Sequence, residues 1–135
     1  KYAVRVGGGF NHRFGLYDMV LIKENHIRAA GGISQALQRV KRHNCTYKIE
    51  IEVTNLQELE EAVSAGADRV MLDNMTIQDI RLAVRKYRKK IELEVSGGVN
   101  ETNIQAYAKT GVHYISSGSM THSYKSLDIS LLIKE

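Results

Sequence analysis

Residues able to bind a charged ligand follow five short apolar runs of the sequence, each where the run ends. Lys23 follows the first run, Glu52 lies near the end of the second, and Asp73 follows the third. Small turn-forming residues follow the last two runs, at 96–98 and 116–119. Lysine can bind a carboxylate or phosphate, carboxylates can bind Mg²⁺ or ribose hydroxyls, and glycine lets a phosphate approach backbone N–H groups. The pattern predicts one site for an anionic ligand.

The elements that position these residues alternate regularly along the chain. Apolar and β-branched runs predict strands at 20–22, 49–53, 69–72, 91–95 and 112–115. Between them, apolar residues recur with helical period at 33–40, 56–63, 77–87 and 104–108. Strands that alternate with helices predict an α/β fold of parallel βα repeats, whose strands present their carboxyl ends at one edge.

Helix starts and the chain's tail carry further signals. The predicted N-caps are Ser34, Asn55, Thr76 and either Thr102 or Asn103. The apolar tail at 127–133 is either a last strand or a docking segment.

Each strand end taken alone has an ordinary explanation, because Asn, Asp, Ser and Gly are frequent in turns. Five such ends in succession, including a lysine and two carboxylates, favour a functional rim. The sequence contains neither a dinucleotide fingerprint nor a P-loop, and its histidines lack the spacing of a zinc protease. No nucleophile elbow occurs either, so these classes of site are excluded.

Alternate residues of the strands predict an acidic face. Glu50 and Glu92 have the same parity as Glu52 and Glu94, and Ile, Leu and Val occupy the opposite face. In a barrel the acidic face would line the interior, whereas in an open sheet it would be solvated.

The segment at 7–15 precedes the first strand and is rich in glycine. It carries His12 and Arg13, and the arginine could hold a carboxylate through two parallel hydrogen bonds. Taken alone, the segment is more simply explained as a surface loop.

Length and composition limit the possible classes of protein. The 135 residues, 43% hydrophobic and 25% charged, fit one globular domain and are too few for a complete eight-unit barrel of roughly 250 residues. No apolar run has the length of a membrane span. The single cysteine, Cys45, excludes an internal disulfide and favours a reducing, cytoplasmic setting. The net charge of +4 favours anionic partners, but the basic residues at 81–90 fit a solvated helix face better than a nucleic-acid site.

Several segments together resemble the quinolinate phosphoribosyltransferase family. The resemblance covers nearly the whole chain in order, and its segments are 7–18, 21–27, 49–53, 65–75, 94–99, 110–118 and 121–131. It implies a partial TIM-like barrel over residues 1–135, the C-terminal domain of a type II phosphoribosyltransferase. The family's N-terminal domain and first barrel strand or strands would then be absent, and the chain, which begins without Met, would start inside a longer protein.

The resemblance also implies a reaction. Quinolinate and phosphoribosyl pyrophosphate (PRPP) would give nicotinate mononucleotide, pyrophosphate and CO₂ in NAD biosynthesis, with Mg²⁺ as cofactor. It implies a homo-oligomer, dimer or hexamer, without nucleic-acid or membrane partners. One alternative is a catalytically inactive half-barrel that self-associates through its open sheet edge. Another is a related phosphoribosyltransferase that acts on a different aromatic acid.

Roles for individual residues follow from the same resemblance. The quinolinate-binding group would be His12, Arg13 and Lys23. The catalytic group would be Lys23, Glu52 and Asp73, of which the two carboxylates would also bind Mg²⁺, directly or through water. The PRPP-binding group would be Glu52, Asp73, Asn74, Ser96, Gly97, Gly98, Ser117, Gly118 and His122.

Overall fold

The computed structural model describes residues 1–43 and 45–134 of the chain. Within them, five parallel strands form one sheet in chain order: β1 (Val20–Ile22), β2 (Ile49–Val53), β3 (Arg69–Asp73), β4 (Glu92–Ser96) and β5 (Tyr114–Ile115). The helices of the same residues are α1 (Tyr2–Val6), α2 (Glu24–Ala30), α3 (Ile33–Arg42), α4 (Leu56–Ser64), α5 (Ile77–Tyr87), α6 (Ile104–Ala108) and α7 (Ser119–His122). None of these helices has the length and apolarity needed to cross a membrane.

All five predicted strands are present, with small shifts of their ends. β3 extends to Asp73, β4 is displaced by one residue, and β5 contains only Tyr114–Ile115. The predicted caps Asn55 and Thr76 are confirmed, since each side chain accepts hydrogen bonds from backbone N–H groups of its helix. Asn103 rather than Thr102 is the N-cap residue of α6.

Local structure differs from the sequence predictions in three places. Residues 24–26, for which no helix was predicted, form the first turn of α2, where His26 Nδ1 accepts a hydrogen bond from Lys23 N at 2.9 Å. The N-cap of α3 is Gly32, not Ser34. Ser34 lies inside α3, and its hydroxyl donates a hydrogen bond to Glu61 on α4 at 2.7 Å. The tail at 127–133 forms no strand and is exposed, and its possible docking stays a prediction.

The register of the sheet separates two faces. Ile51 pairs with Val70 and Leu72 with Val95, so apolar side chains align across the strands. They pack against α3, α4 and α5 in a core whose fully buried members include Ile51, Leu72, Leu93, Leu37, Leu59 and Ile80. Since the strands are parallel and adjacent in chain order, their carboxyl ends lie at one edge, as predicted.

The opposite face carries the predicted glutamates but is neither purely acidic nor solvated. Arg69 and Met71 lie on it between the glutamates of β2 and β4. Glu50 is fully buried and Glu94 is 1% exposed, so the solvated alternative is wrong for both. The segment before β1 covers this face, because His12 contacts both carboxylates.

Leu72 gives a direct test of the core. Leu72→Ala should lower the free energy of unfolding by about 2–5 kcal/mol, because it removes apolar atoms from a fully buried position and leaves a cavity. Leu82→Ala on the exposed side of α5 is the matched control. Leu82 is 48% exposed, so this substitution should lower the free energy of unfolding by less than about 1 kcal/mol. Urea unfolding measures both, and equal losses would contradict this account of the core.

Candidate functional site

A cavity of about 350 Å³ opens at the carboxyl edge of the sheet. Residues from all five strands or their ends, from α7 and from the segment before β1 line it. Six of the twelve predicted site residues are among them: His12, Lys23, Glu52, Ser96, Ser117 and Gly118. The structure therefore brings cations, a carboxylate and small hydroxyl-bearing residues around one space.

Lys23 and Glu52 form an ion pair at this cavity. Lys23 is the N-cap residue of α2, directly after β1, and its Nζ donates to Glu52 Oε1 at 2.8 Å. The lysine side chain is 54% exposed and that of Glu52 is 17% exposed. Exposed pairs of this kind contribute little stability, so an incoming anion can compete for the lysine.

His12 is held by two buried carboxylates. Its Nε2 lies 2.7 Å from Glu50 Oε2 and 3.5 Å from Glu94 Oε1. The hydrogen bond with Glu50 raises the pKa of His12 against the opposing effect of burial, and the charge of Glu94 adds to the rise. Burial, with the nearby charge of Glu50, raises the pKa of Glu94. The imidazolium form of His12 is therefore favoured.

The roles of Glu50 and Glu94 as partners of His12 were not predicted from the sequence, although their shared face was. Arg69 was missed altogether, and its Nη1 lies 3.4 Å from Glu94 Oε2. The sequence did contain a signal for these contacts, because Glu50, Arg69 and Glu94 are charged residues on predicted strands, and a buried charged residue requires a partner. The sequence could not show which residue supplies that partner.

Arg13 lies outside the cavity that His12 and Lys23 share. Its Nη1 donates to the backbone oxygen of Met19 at 3.3 Å. It lines a neighbouring cavity of about 410 Å³ together with Arg5 and Asp18, and His12 borders both spaces. The structure thus separates Arg13 from Lys23, and the predicted joint role of the two stays a prediction.

Asp73 and Asn74 form a turn beside the glycine loop that follows β4. Asn74 adopts a left-handed conformation with φ of 52°, and its Nδ2 donates to Asp73 Oδ2 at 3.0 Å. The Asn74 side chain packs directly on Gly97, where any Cβ would overlap it. Neither residue of the turn lines the cavity, nor do Gly97, Gly98 and His122.

The loops after β4 and β5 are tied to each other. Ser117 Oγ donates to the backbone oxygen of Val99 at 2.6 Å and also contacts Ser119 Oγ at 2.7 Å. His122 packs against Gly118, with its Nδ1 2.7 Å from Ser123 Oγ. The two loops of small residues are therefore in direct contact. Their predicted phosphate-binding role stays a prediction.

Comparison with known proteins gives consistent matches along the chain. Residues 1–132 match the family described as "Quinolinate phosphoribosyl transferase, C-terminal domain". The probable nicotinate-nucleotide pyrophosphorylase [carboxylating] of Bacillus subtilis is 46% identical over 132 residues, which are 97% of this chain and 46% of that protein. The protein of the same name from Methanocaldococcus jannaschii is 50% identical over 139 residues, which are 97% of this chain and 49% of the relative.

A solved structure supports the same relationship. The nicotinate-nucleotide pyrophosphorylase of Francisella tularensis superposes with a TM-score of 0.90 at 54% identity, over 96% of this chain and 46% of that one. This match confirms the predicted fold class. The chain spans about half the length of the curated relatives it matches.

The protonation of His12 predicts how stability depends on pH. Folding raises the pKa of His12 above its value of 6.5 in the unfolded chain. The stability that protonated His12 contributes is therefore fully present below pH 6.5, and it is lost as pH rises through the pKa of the folded state. The free energy of unfolding should therefore fall as pH rises above 6.5.

Urea unfolding of the chain and of His12→Gln across this pH range measures the effect. The variant should lose this decline, whereas His43→Gln, at an exposed position, should keep it. A decline of equal size in His12→Gln would contradict the assignment.

Proposed function

We propose, from the premise that the chain belongs to the quinolinate phosphoribosyltransferase family, that the protein carrying it transfers a phosphoribosyl group from PRPP to quinolinate. Loss of CO₂ then gives nicotinate mononucleotide and pyrophosphate, a step of NAD biosynthesis. One observation carries the proposal: His12 and Lys23 lie beside Glu52 around one cavity at the strand ends. Such a cavity offers cations to carboxylates and a carboxylate to ribose hydroxyls.

The proposed reaction has two bond-changing steps. Pyrophosphate leaves C1 of the ribose through an oxocarbenium-like state as the pyridine nitrogen attacks that carbon. The 2-carboxylate then leaves as CO₂, the electron pair of the broken C–C bond enters the cationic ring, and a proton from water replaces the carboxylate. The protein's contribution is to align the two substrates and to balance their charges.

The residues of the cavity divide between the two substrates. Lys23 and His12 would bind the carboxylates of quinolinate, and Lys23 would have to leave Glu52 to do so. Glu52 would then accept hydrogen bonds from the ribose hydroxyls. The phosphate of PRPP would lie against the loops after β4 and β5, where Ser96, Ser117 and Gly118 line the cavity. Arg13 would act from the neighbouring cavity that it shares with His12.

Magnesium fits the chemistry of the acidic residues at the edge. Glu52 lies near the end of β2 and Asp73 at the end of the adjacent β3. Carboxylate oxygens are ligands that Mg²⁺ prefers, together with water and phosphate. These two residues would hold the ion, directly or through water, and it would supply positive charge for the leaving pyrophosphate.

We also propose a homo-oligomer in the cytoplasm. β1 pairs on one side only within the described residues, and an unpaired strand edge favours association with another chain. The single cysteine, Cys45, is a free thiol, which fits a reducing compartment.

Product formation tests the reaction. The full-length protein mixed with quinolinate, PRPP and Mg²⁺ should form nicotinate mononucleotide, measured by chromatography. Nicotinate in place of quinolinate is the control, because the proposed site uses two cations for a dicarboxylate. Product from nicotinate but not from quinolinate would replace the proposal with a related phosphoribosyltransferase, and no product from either would refute it.

Asp73→Asn tests the role of the edge carboxylates. The substitution keeps size and hydrogen bonding but removes the charge, so kcat/KM for PRPP should fall about 100-fold or more. Asp128→Asn, in the exposed tail, should leave it unchanged. Initial rates at varied PRPP and Mg²⁺ measure both variants. A normal value for Asp73→Asn would remove Asp73 from the proposed Mg²⁺ site.

A further inference from the structure

The contact between His12 and Glu50 fixes one nitrogen of the imidazole and leaves the other available. A carboxylate can only accept a hydrogen bond, so Nε2 carries the proton in the 2.7 Å contact. The His12 side chain is 24% exposed and lines the cavity at the strand ends. Nδ1 is therefore the nitrogen that a ligand in this cavity can meet.

The polar groups around His12 come from four strands or their ends. Glu50 lies on β2, Arg69 on β3 and Glu94 on β4. Ser116, directly after β5, donates its hydroxyl to Glu94 Oε1 at 2.5 Å. Arg69 also pairs with Glu92, whose other cation is Lys48. Three carboxylates on this face thus meet two cations, and an imidazolium at His12 completes the balance of charge.

Glu94 is contacted by both Ser116 and Arg69, but within the described residues Glu50 has no such second partner. Its Oε2 accepts from His12, and its Oε1 is buried with no hydrogen-bond partner among the described residues. Arg69 lies within hydrogen-bond or ion-pair distance of Glu92 and Glu94. Loss of the proton from His12 would leave a fully buried carboxylate without its direct cation, which is costly.

A metal ion is the other occupant that this geometry allows, because the donor atoms of His12, Glu50 and Glu94 lie within 4.8 Å of one another. Two observations favour a proton instead. The 2.7 Å separation of Nε2 and Oε2 is that of a direct hydrogen bond. Arg69 already brings a positive charge to Glu94.

We propose that Glu50 and Glu94 are positioning residues that hold His12 as an imidazolium and present its Nδ1–H to a carboxylate of the aromatic acid in the cavity. This inference rests on the proposed function, in which His12 contacts quinolinate. A neutral imidazole held through Nε2–H would present a lone pair at Nδ1 and would repel the same carboxylate. The buried glutamates would thus set substrate affinity without touching the substrate.

Glu50→Gln in the full-length protein tests the effect on binding. The substitution preserves shape but removes the charge that favours the imidazolium. The KM for quinolinate should rise about tenfold, with kcat and the KM for PRPP within about twofold. The rise should be larger at about pH 8 than at about pH 6, because the lower pH protonates more of His12 in both proteins.

Glu92→Gln is the matched control. Glu92 lies on the same strand and face as Glu94 and pairs with Arg69, but its other cation is Lys48. The control should leave the KM for quinolinate unchanged. A KM for Glu50→Gln within twofold of the unsubstituted protein at both pH values would overturn the inference. Absence of product in the unsubstituted protein would instead refute the proposed function.

An NMR titration of His12 supplies a readout that does not depend on turnover. The imidazole Cε1–H signal, assigned by its loss in His12→Gln, should titrate at a lower pH in Glu50→Gln, because the hydrogen bond with Glu50 is the main cause of the raised pKa of His12. Glu94→Gln leaves Glu50 in place, so the His12 signal should shift in the same direction by a smaller amount. This second variant keeps the test possible if Glu50→Gln does not fold. An unchanged titration in Glu94→Gln and in any folded Glu50→Gln would overturn the inference.

Discussion

A carboxylate buried inside a parallel sheet must be given a positive partner, and one whole face of this sheet is arranged around that requirement. Glu50 has no exposed surface, and it lies on the face opposite the apolar core. His12 supplies its direct partner, and Arg69 supplies a second cation to the same face through Glu94. Since an unpaired buried charge costs several kcal/mol, removing His12 from this pair would destabilise the packing of the segment before β1 on the sheet.

The need for that partner also explains how the segment before β1 is built. Asp18 closes a turn by accepting hydrogen bonds from the backbone N–H groups of Phe14 and Gly15, and the bond from Phe14 lowers the pKa of Asp18. Arg13 is anchored on the backbone of Met19. These contacts fix the segment that follows His12, between the histidine and β1.

The sequence was informative where one residue's neighbours along the chain determine the outcome. Alternating β-branched runs located all five strands, and a parallel sheet then placed Lys23 and Glu52 at one edge. It was uninformative where partners lie far apart, as with His12 and Glu50, which are 38 residues apart. The alternation of residues along β2 predicted which face of the sheet carries Glu50, but not which segment covers that face.

The contacts of the segment before β1 could not be predicted from adjacency in the chain. His12 and Arg13 make different hydrogen bonds, because successive residues of an irregular segment need not point the same way, and their joint role stays a prediction. Helix α2 was missed because Lys23 is an unusual N-cap residue. The His26 side chain accepts a hydrogen bond from the backbone N–H of Lys23, as Glu or Gln does at the third helical position of a capping box.

The two cations of the cavity differ in a way that suits different tasks. His12 is bound to a carboxylate that is fully buried and cannot turn to another partner. Lys23 is more than half exposed and bound to a carboxylate that still reaches solvent. The first pair is costly to break and the second is cheap, since solvent screens exposed charges. In the proposed reaction, a substrate carboxylate would therefore meet one fixed cation and draw a second away from Glu52. That same movement would free Glu52 for the other substrate, so the pairing of Lys23 with Glu52 would couple the two binding events.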